Sequence, residues 1–251
     1  MKTNAVVAQS RRRLLQAAAA GAASLVLGTL PFAARAAGKS GEKLRIGVIG
    51  SGRVGGTIGE LWVKAGHEVM FSSLDLEHDK ALAARLGAGA RAGTTREAGA
   101  FGEVLFVAVP YAALPQVGRD LGDTLKGKVV LDASNPVPSR DGDMAVEAKA
   151  KGTGLASSQF LPGARLVRAF NCVGAGYMKS EAHRAGERLG IPLAGDDAAA
   201  LRVAVRLVQD AGFEPVVVGG LARAKDFDYG TPIFGQPRTA REVRQILGIR
   251  S

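Results

Sequence analysis

From residue 44 onward, short apolar runs alternate with stretches of helical periodicity. Residues 44–49 form a brief, almost wholly apolar run of the kind that makes a buried strand. A glycine-rich turn follows, then a helical pattern through Lys64 that stops at Ala65-Gly66. Residues 67–72 predict a second strand and 79–86 a helix. Further strands are expected at 91–92, 103–109 and 128–132, with a helix over 111–125. Beyond Asn135-Pro136 the pattern continues: strands at 166–170, 191–194 and 215–218, a loop at 160–163 and a helix over 198–211. Strands alternating with helices predict an α/β fold, a doubly wound and mostly parallel sheet with helices on both faces. One domain is expected over 43–221, preceded by a polar linker at 37–42. Residues 222–251 are read as an extension packed on that domain.

Composition narrows the chemistry. Of 251 residues 47% are hydrophobic and 22% charged, enough apolar material for an ordered core. A single cysteine, Cys172, excludes an internal disulfide framework, and three scattered histidines (His67, His78, His183) lack metal-ligand spacing. No metal is expected. The net charge is +10, but Lys2, Arg11, Arg12, Arg13 and Arg35 lie within 1–36, which holds no acidic residue. The remainder keeps 28 basic residues against 23 acidic ones. No basic run interleaved with aromatics occurs there, so nucleic acid is not an expected partner.

Those first residues carry their own signal. Ser10-Arg11-Arg12-Arg13-Leu14-Leu15 precedes a weakly apolar run to Ala34, and Ala34-Arg35-Ala36 ends it with small residues at the positions a signal peptidase reads. The paired arginines resemble the twin-arginine type. Residues 1–36 are therefore expected to direct export to the periplasm through the twin-arginine machinery, with anchoring by the uncleaved segment as the alternative.

Gly50-Ser51-Gly52-Arg53-Val54-Gly55 lies between a predicted strand and a predicted helix, the context that makes G-x-G-x-x-G informative. Gly50 permits the tight turn, Gly52 lets backbone approach a pyrophosphate, and Gly55 lets helix pack closely on strand, as in a Rossmann-type dinucleotide site. The helix N-terminus offers free N–H groups to phosphate oxygens. At the end of the second strand, Phe71-Ser72-Ser73 supplies hydroxyls and no carboxylate, which favours NADP over NAD; a shift of two or three positions would bring in Asp75 and reverse that preference.

Eight motifs in register carry a resemblance. They are the glycine loop, Gly66-His67-Glu68-Val69, Val107-Ala108-Val109-Pro110-Tyr111, Ser134-Asn135-Pro136, Leu161-Pro162-Gly163-Ala164, Ala169-Phe170-Asn171, Pro192-Leu193-Ala194-Gly195-Asp196-Asp197 and Gly212-Phe213-Glu214-Pro215. Over about 43–221 the chain resembles the NADP oxidoreductases of the coenzyme F420-dependent type, relatives of pyrroline-5-carboxylate reductase. The resemblance implies that Gly50, Ser51, Gly52, Arg53, Val54, Gly55, Ser72 and Ser73 hold the dinucleotide. It implies further that Ala108, Val109 and Pro110 lie along the cofactor and that Asn135 flanks the nicotinamide. The family's arginine after the strand-two serine is Leu74 here, leaving Arg53 or Arg96 to substitute.

The activity so implied is hydride transfer between NADP(H) and a second, ring-shaped carrier: coenzyme F420, a flavin or a ferric chelate. Such transfer needs stacked rings more than a proton donor, and no acid or base is named. An imine or carbonyl reductase of the pyrroline-5-carboxylate reductase type is the alternative, although about 30 residues after the sheet are too few for that enzyme's helical dimerisation domain. A dinucleotide-binding sensor is the non-enzymatic alternative. Cys172 reads as a buried, unreactive thiol, and Asp196-Asp197 as a helix cap. Asp226, Asp228 and Tyr229 are placed by the resemblance near the substrate pocket or at a homodimer contact.

Overall fold

A computed structural model describes residues 42–249. The expected export segment and most of the linker lie outside the described residues. The elements run β1 (Arg45–Ile49), α1 (Arg53–Lys64), β2 (Glu68–Ser72), α2 (Leu76–Leu86), β3 (Ala90–Ala92), α3 (Thr95–Phe101) and β4 (Val104–Val107). They continue with α4 (Leu114–Leu121), β5 (Val129–Asp132), α5 (Pro138–Asp141), α6 (Asp143–Lys151), α7 (Thr153–Phe160) and β6 (Arg165–Arg168). The last are α8 (Ala175–Glu181), β7 (Gly190–Gly195), α9 (Ala198–Asp210), β8 (Glu214–Gly219) and α10 (Ala240–Ile246). Short 3-10 turns flank α4, at Tyr111–Ala113 and Gly122–Leu125, and another covers Leu221–Phe227.

The eight strands make one sheet in the order β3-β2-β1-β4-β5-β6-β7-β8. Every neighbouring pair is parallel except β6 with β7. Side chains alternate across a strand, so β1, β4 and β5 divide between two cores. Val48, Phe106 and Leu131 face one, and Ile49, Leu105, Val107 and Val130 the other. On the first face Trp62 of α1 meets Phe106 and Phe170 edge to face, at centroid separations of 5.2 and 5.9 Å. Its indole N–H donates to the Leu207 carbonyl of α9 at 2.8 Å, satisfying the polar atom of a fully buried ring.

The doubly wound, mostly parallel sheet agrees with the expectation, and the differences are local. The expected helix over 111–125 is a central α-helix between two 3-10 turns. Helices α3, α5, α6, α7, α8 and α10 add to those the sequence predicts; most are short or bounded by glycine, which blurs their periodicity. The segment after residue 221 returns to the sheet: the Gly190 N–H bonds the Arg238 carbonyl at 2.8 Å, and Gly235 donates to Cys172 at 2.7 Å. Among the described residues no helix is long and apolar enough to cross a membrane, and no group of three His, Cys, Asp or Glu side chains is placed to hold a metal ion.

His67, at the turn from α1 to β2, is buried. Its Nδ1 accepts from the Leu44 N–H at 3.2 Å, and its Nε2 lies 3.0 Å from Asp210. Burial lowers its pKa below the ordinary 6.5, against the opposing pull of Asp210. The unfolded chain therefore takes up this proton first as pH falls. Stability is full above about pH 6.5 and declines below it toward the folded-state pKa. Urea midpoints should drop between pH 7 and pH 5.5, and His67→Gln should remove part of that slope.

Candidate functional site

The sheet order reverses between β1 and β4, whose carboxyl ends diverge into loops on either side of the crevice where open α/β sheets bind ligands. The loop after β1 is Gly50–Gly52. Gly50 has φ +95°, a left-handed conformation that favours glycine, and a Cβ there would lie 2.6 Å from the Ala108 carbonyl oxygen. Gly55 is required by contact instead: its Cβ would lie 1.9 Å from the Gly50 oxygen. The Gly50 and Ser51 N–H groups both donate to the Ser72 carbonyl, at 2.8 and 3.1 Å, which ties the loop to the end of β2.

Gly52 differs from both. It is exposed, has φ −65°, and has no atom within 4 Å of where a Cβ would stand. It is the N-cap of α1, makes no side-chain capping bond, and precedes a first turn without acidic residues. The orphan N–H groups of a twelve-residue helix therefore open toward the crevice beside an empty cradle, the arrangement that suits a phosphate. These residues fit the pyrophosphate of a dinucleotide. A groove of about 510 Å³ continues from Gly52 along the outer side of α1, lined by Arg53, Leu61, Lys64, Leu82, Arg85 and Lys179 among others. Within it Arg85 and Lys64 hold the Glu60 carboxyl down to about 2.

The remaining site residues fall into two groups. Ala108 and Val109 follow β4 beside Gly50, with the Ala108 N–H donating to the Ile49 carbonyl at 2.8 Å, and Pro110 is exposed beyond them. Asn135 follows β5, and its side-chain amide donates to the Asn171 carbonyl at 2.7 Å. Arg53 is exposed at the start of α1, and Val54 is half-buried. Ser73 is also half-buried, at the end of β2. Ser72 does not join them: it is fully buried, and its hydroxyl donates to the Val48 carbonyl at 2.8 Å. It is covered by the loop after β1, whose Gly50 and Ser51 N–H groups bond its carbonyl. Asp75 accepts from the His78 N–H at 3.0 Å as the N-cap of α2, and Leu74 is fully exposed. Arg96, one of the two arginines open to replace the family's, reaches Asp120 at 3.7 Å.

Two features escaped sequence reasoning. Asp79, an ordinary polar position of an amphipathic helix by its spacing, is fully buried under the glycine loop. Ser51 donates to one of its oxygens, and Ser73 to the other at 2.9 Å. Arg168, inside a predicted strand, is also fully buried. Its guanidinium reaches Asp132 at 2.8 Å, the Ser134 carbonyl at 2.7 Å and Asp228 at 3.4 Å. Asp228 accepts in turn from the Thr153 N–H at 2.9 Å. This network backs the loop carrying Asn135. Beside it the Tyr111 hydroxyl, buried and without a hydrogen-bond partner, is pushed up to about 12, chiefly by burial. Phe170 adopts φ 60°, a rare conformation for an aromatic residue, where β6 turns into this corner. Cys172 is buried there, its thiol pushed up to about 12 by burial.

Residues 45–136 match the family model described as NADP oxidoreductase, coenzyme F420-dependent. No curated protein matches the chain. A hypothetical protein from Sinorhizobium meliloti superposes with a TM-score of 0.66 at 24% identity, covering 80% of this chain and 97% of its own. A protein from Arthrobacter sp. described as an F420-dependent NADP reductase gives 0.60 at 22% identity, covering 72% and 87%. An imine reductase from Myxococcus stipitatus, in complex with NADP+, gives 0.52 at 16%, covering 81% of this chain and 59% of its own. The similarities establish the Rossmann-like fold. The matched family and these two named enzymes are NAD(P)-dependent oxidoreductases.

Proposed function

We propose that the chain is a nicotinamide-dinucleotide oxidoreductase that passes hydride to or from a second, ring-shaped carrier such as coenzyme F420 or a flavin. The observation that carries this reading is the uncapped N-terminus of α1 beside the open cradle at Gly52, at the point where the sheet order reverses. When bound, the nicotinamide supplies or accepts the hydride. The chain's own part is to bind and orient. The α1 N–H groups take the pyrophosphate, Ala108–Pro110 bound the crevice on the β4 side, and Asn135 is held in place through Asn171 and the Arg168 network.

An imine reductase is the second reading, because that fold also superposes. The F420-type reading is supported by the description of the family whose model matches residues 45–136. Oxidation of NADH and NADPH should be followed with coenzyme F420, flavin mononucleotide, a ferric chelate and a cyclic imine. Turnover with the deazaflavin or flavin is expected. Turnover with the imine alone would favour the second reading, and binding without turnover would indicate a sensor.

We also propose export through the twin-arginine machinery, since a dinucleotide site is assembled only in the folded chain, and a folded, loaded protein needs that route. Replacing Arg11 and Arg12 by Lys should hold unprocessed protein in the cytoplasm; periplasmic, processed double mutant would contradict it. A homodimer remains part of the proposal, to be read from the mass in solution.

A further inference from the structure

We propose that Asp79 makes this site select NAD(H) over NADP(H), by fixing the hydroxyl of Ser73 as a hydrogen-bond acceptor toward the adenosine ribose. The inference rests on the dinucleotide reading and reverses the NADP preference expected from Ser72 and Ser73.

Asp79 lies in the first turn of α2 with no exposure to solvent, and both carboxylate oxygens are engaged, one by Ser51 and one by Ser73 at 2.9 Å. A serine hydroxyl has one proton and two lone pairs. The Ser73 proton has two acceptors within the chain, Asp79 at 2.9 Å and the Asp75 carbonyl at 3.1 Å, the nearer being Asp79, and one lone pair accepts from the Asp75 N–H at 3.1 Å. What Ser73 offers a ligand is the remaining lone pair. A ribose 2′-hydroxyl can donate to it. A 2′-phosphate, which carries acceptor oxygens, gains nothing unless Ser73 withdraws its proton from a buried carboxylate and leaves that oxygen without a partner.

Of the two arginines open to replace the family's, Arg53 stays exposed and lines the groove beside Gly52, while the groups next to Ser73 give a phosphate little in return. Leu74, fully exposed beside Ser73, carries no charge, and Arg96 is drawn toward Asp120. The N-terminus of α2, a natural seat for an anion, is already capped by Asp75 and carries Glu77 and Asp79 in its first turn. Lys80 pairs with Glu77 at 2.8 Å. An acidic group at the end of the second strand is the usual device against a 2′-phosphate. Here the carboxylate comes from the following helix and acts through a serine.

The test is a fluorescence titration of the full chain, its Asp79→Asn variant and its Ser73→Ala variant with NADH and NADPH, folding being checked by circular dichroism. The wild type should bind NADH about tenfold more tightly than NADPH. Asparagine fills the same space but donates as well as accepts, which frees a serine proton, so the preference should fall to about threefold or less, with NADPH gaining. Ser73→Ala leaves Asp79 in place and removes the acceptor; NADH should weaken while NADPH changes little. This second variant decides the matter should Asp79→Asn fail to fold. Tighter NADPH binding by the wild type, or a ratio unmoved by either substitution, would overturn the inference while leaving the dinucleotide reading intact. Binding of neither nucleotide would overturn that reading itself.

Discussion

Gly52→Asp should fold as well as the wild type and bind nicotinamide dinucleotides at least about 100-fold more weakly. The two halves of this result have separate causes. The backbone at Gly52 has φ −65°, and a Cβ there meets nothing within 4 Å, so the side chain adds no clash. Asp is among the preferred N-cap residues, and its carboxylate can accept from the N–H groups that α1 leaves unpaired. The helix gains a cap. Those same N–H groups are the ones a pyrophosphate would use, and the added charge repels it. Losing two charge-assisted hydrogen bonds of about 1.5–3 kcal/mol each accounts for the affinity change. Circular dichroism and urea unfolding check the first half, and titration with NADH the second. Unchanged affinity in a folded variant would contradict the site.

The largest loss of stability is expected from Arg168→Met. Arg168 and Asp132 are both fully buried and 2.8 Å apart. Methionine can fill much of the space, but it leaves the Asp132 carboxylate without its counter-charge in the interior, a change that typically costs about 3–5 kcal/mol. Asp132 also accepts from the Ser134 N–H at 2.8 Å, so the loop carrying Asn135 should loosen together with the strand end. Combining Arg168→Met with Asp132→Asn removes the orphaned charge while keeping an acceptor for Ser134, and should recover a large part of the loss. Urea unfolding of the single and double variants measures both. A single-variant cost below about 1 kcal/mol would show that the pair is not what holds this corner.

Much of the sheet is legible in the sequence because its strands are buried on both faces. Each is a continuous apolar run, and the turns between them carry glycine at places where the chain has to reverse or touch. Gly50 and Gly55 are readable for that reason. The direction of β7 is not, since an apolar run reads the same both ways. Helix α3 is announced only by its capping box, Thr94 with Glu97, since seven residues are too few to show a helical period. Helices α5 to α7 are divided by Gly142 and Gly152, and no long apolar stripe announces them. The corner at the end of β2 is the least legible. Ser72 counts as a hydroxyl in the sequence but is used up inside the sheet, and Asp75 is spent on its own helix. Asp79 counts as a surface residue until α2 is laid against the glycine loop. Arg168 is hidden in the same way, because a charge within a strand gives no sign of partners arriving from β5 and from residue 228.

The central claim is that the loop from Gly50 to Gly55 and the first turn of α1 hold a nicotinamide dinucleotide. Amide hydrogen exchange of the full chain, with and without saturating NADH, locates binding directly. The account predicts slowed exchange at Ser51–Gly56 and at the segments following β4 and β5, with α10 unaffected. Protection that appears elsewhere and spares the glycine loop, or no protection with NADH or NADPH, would contradict it.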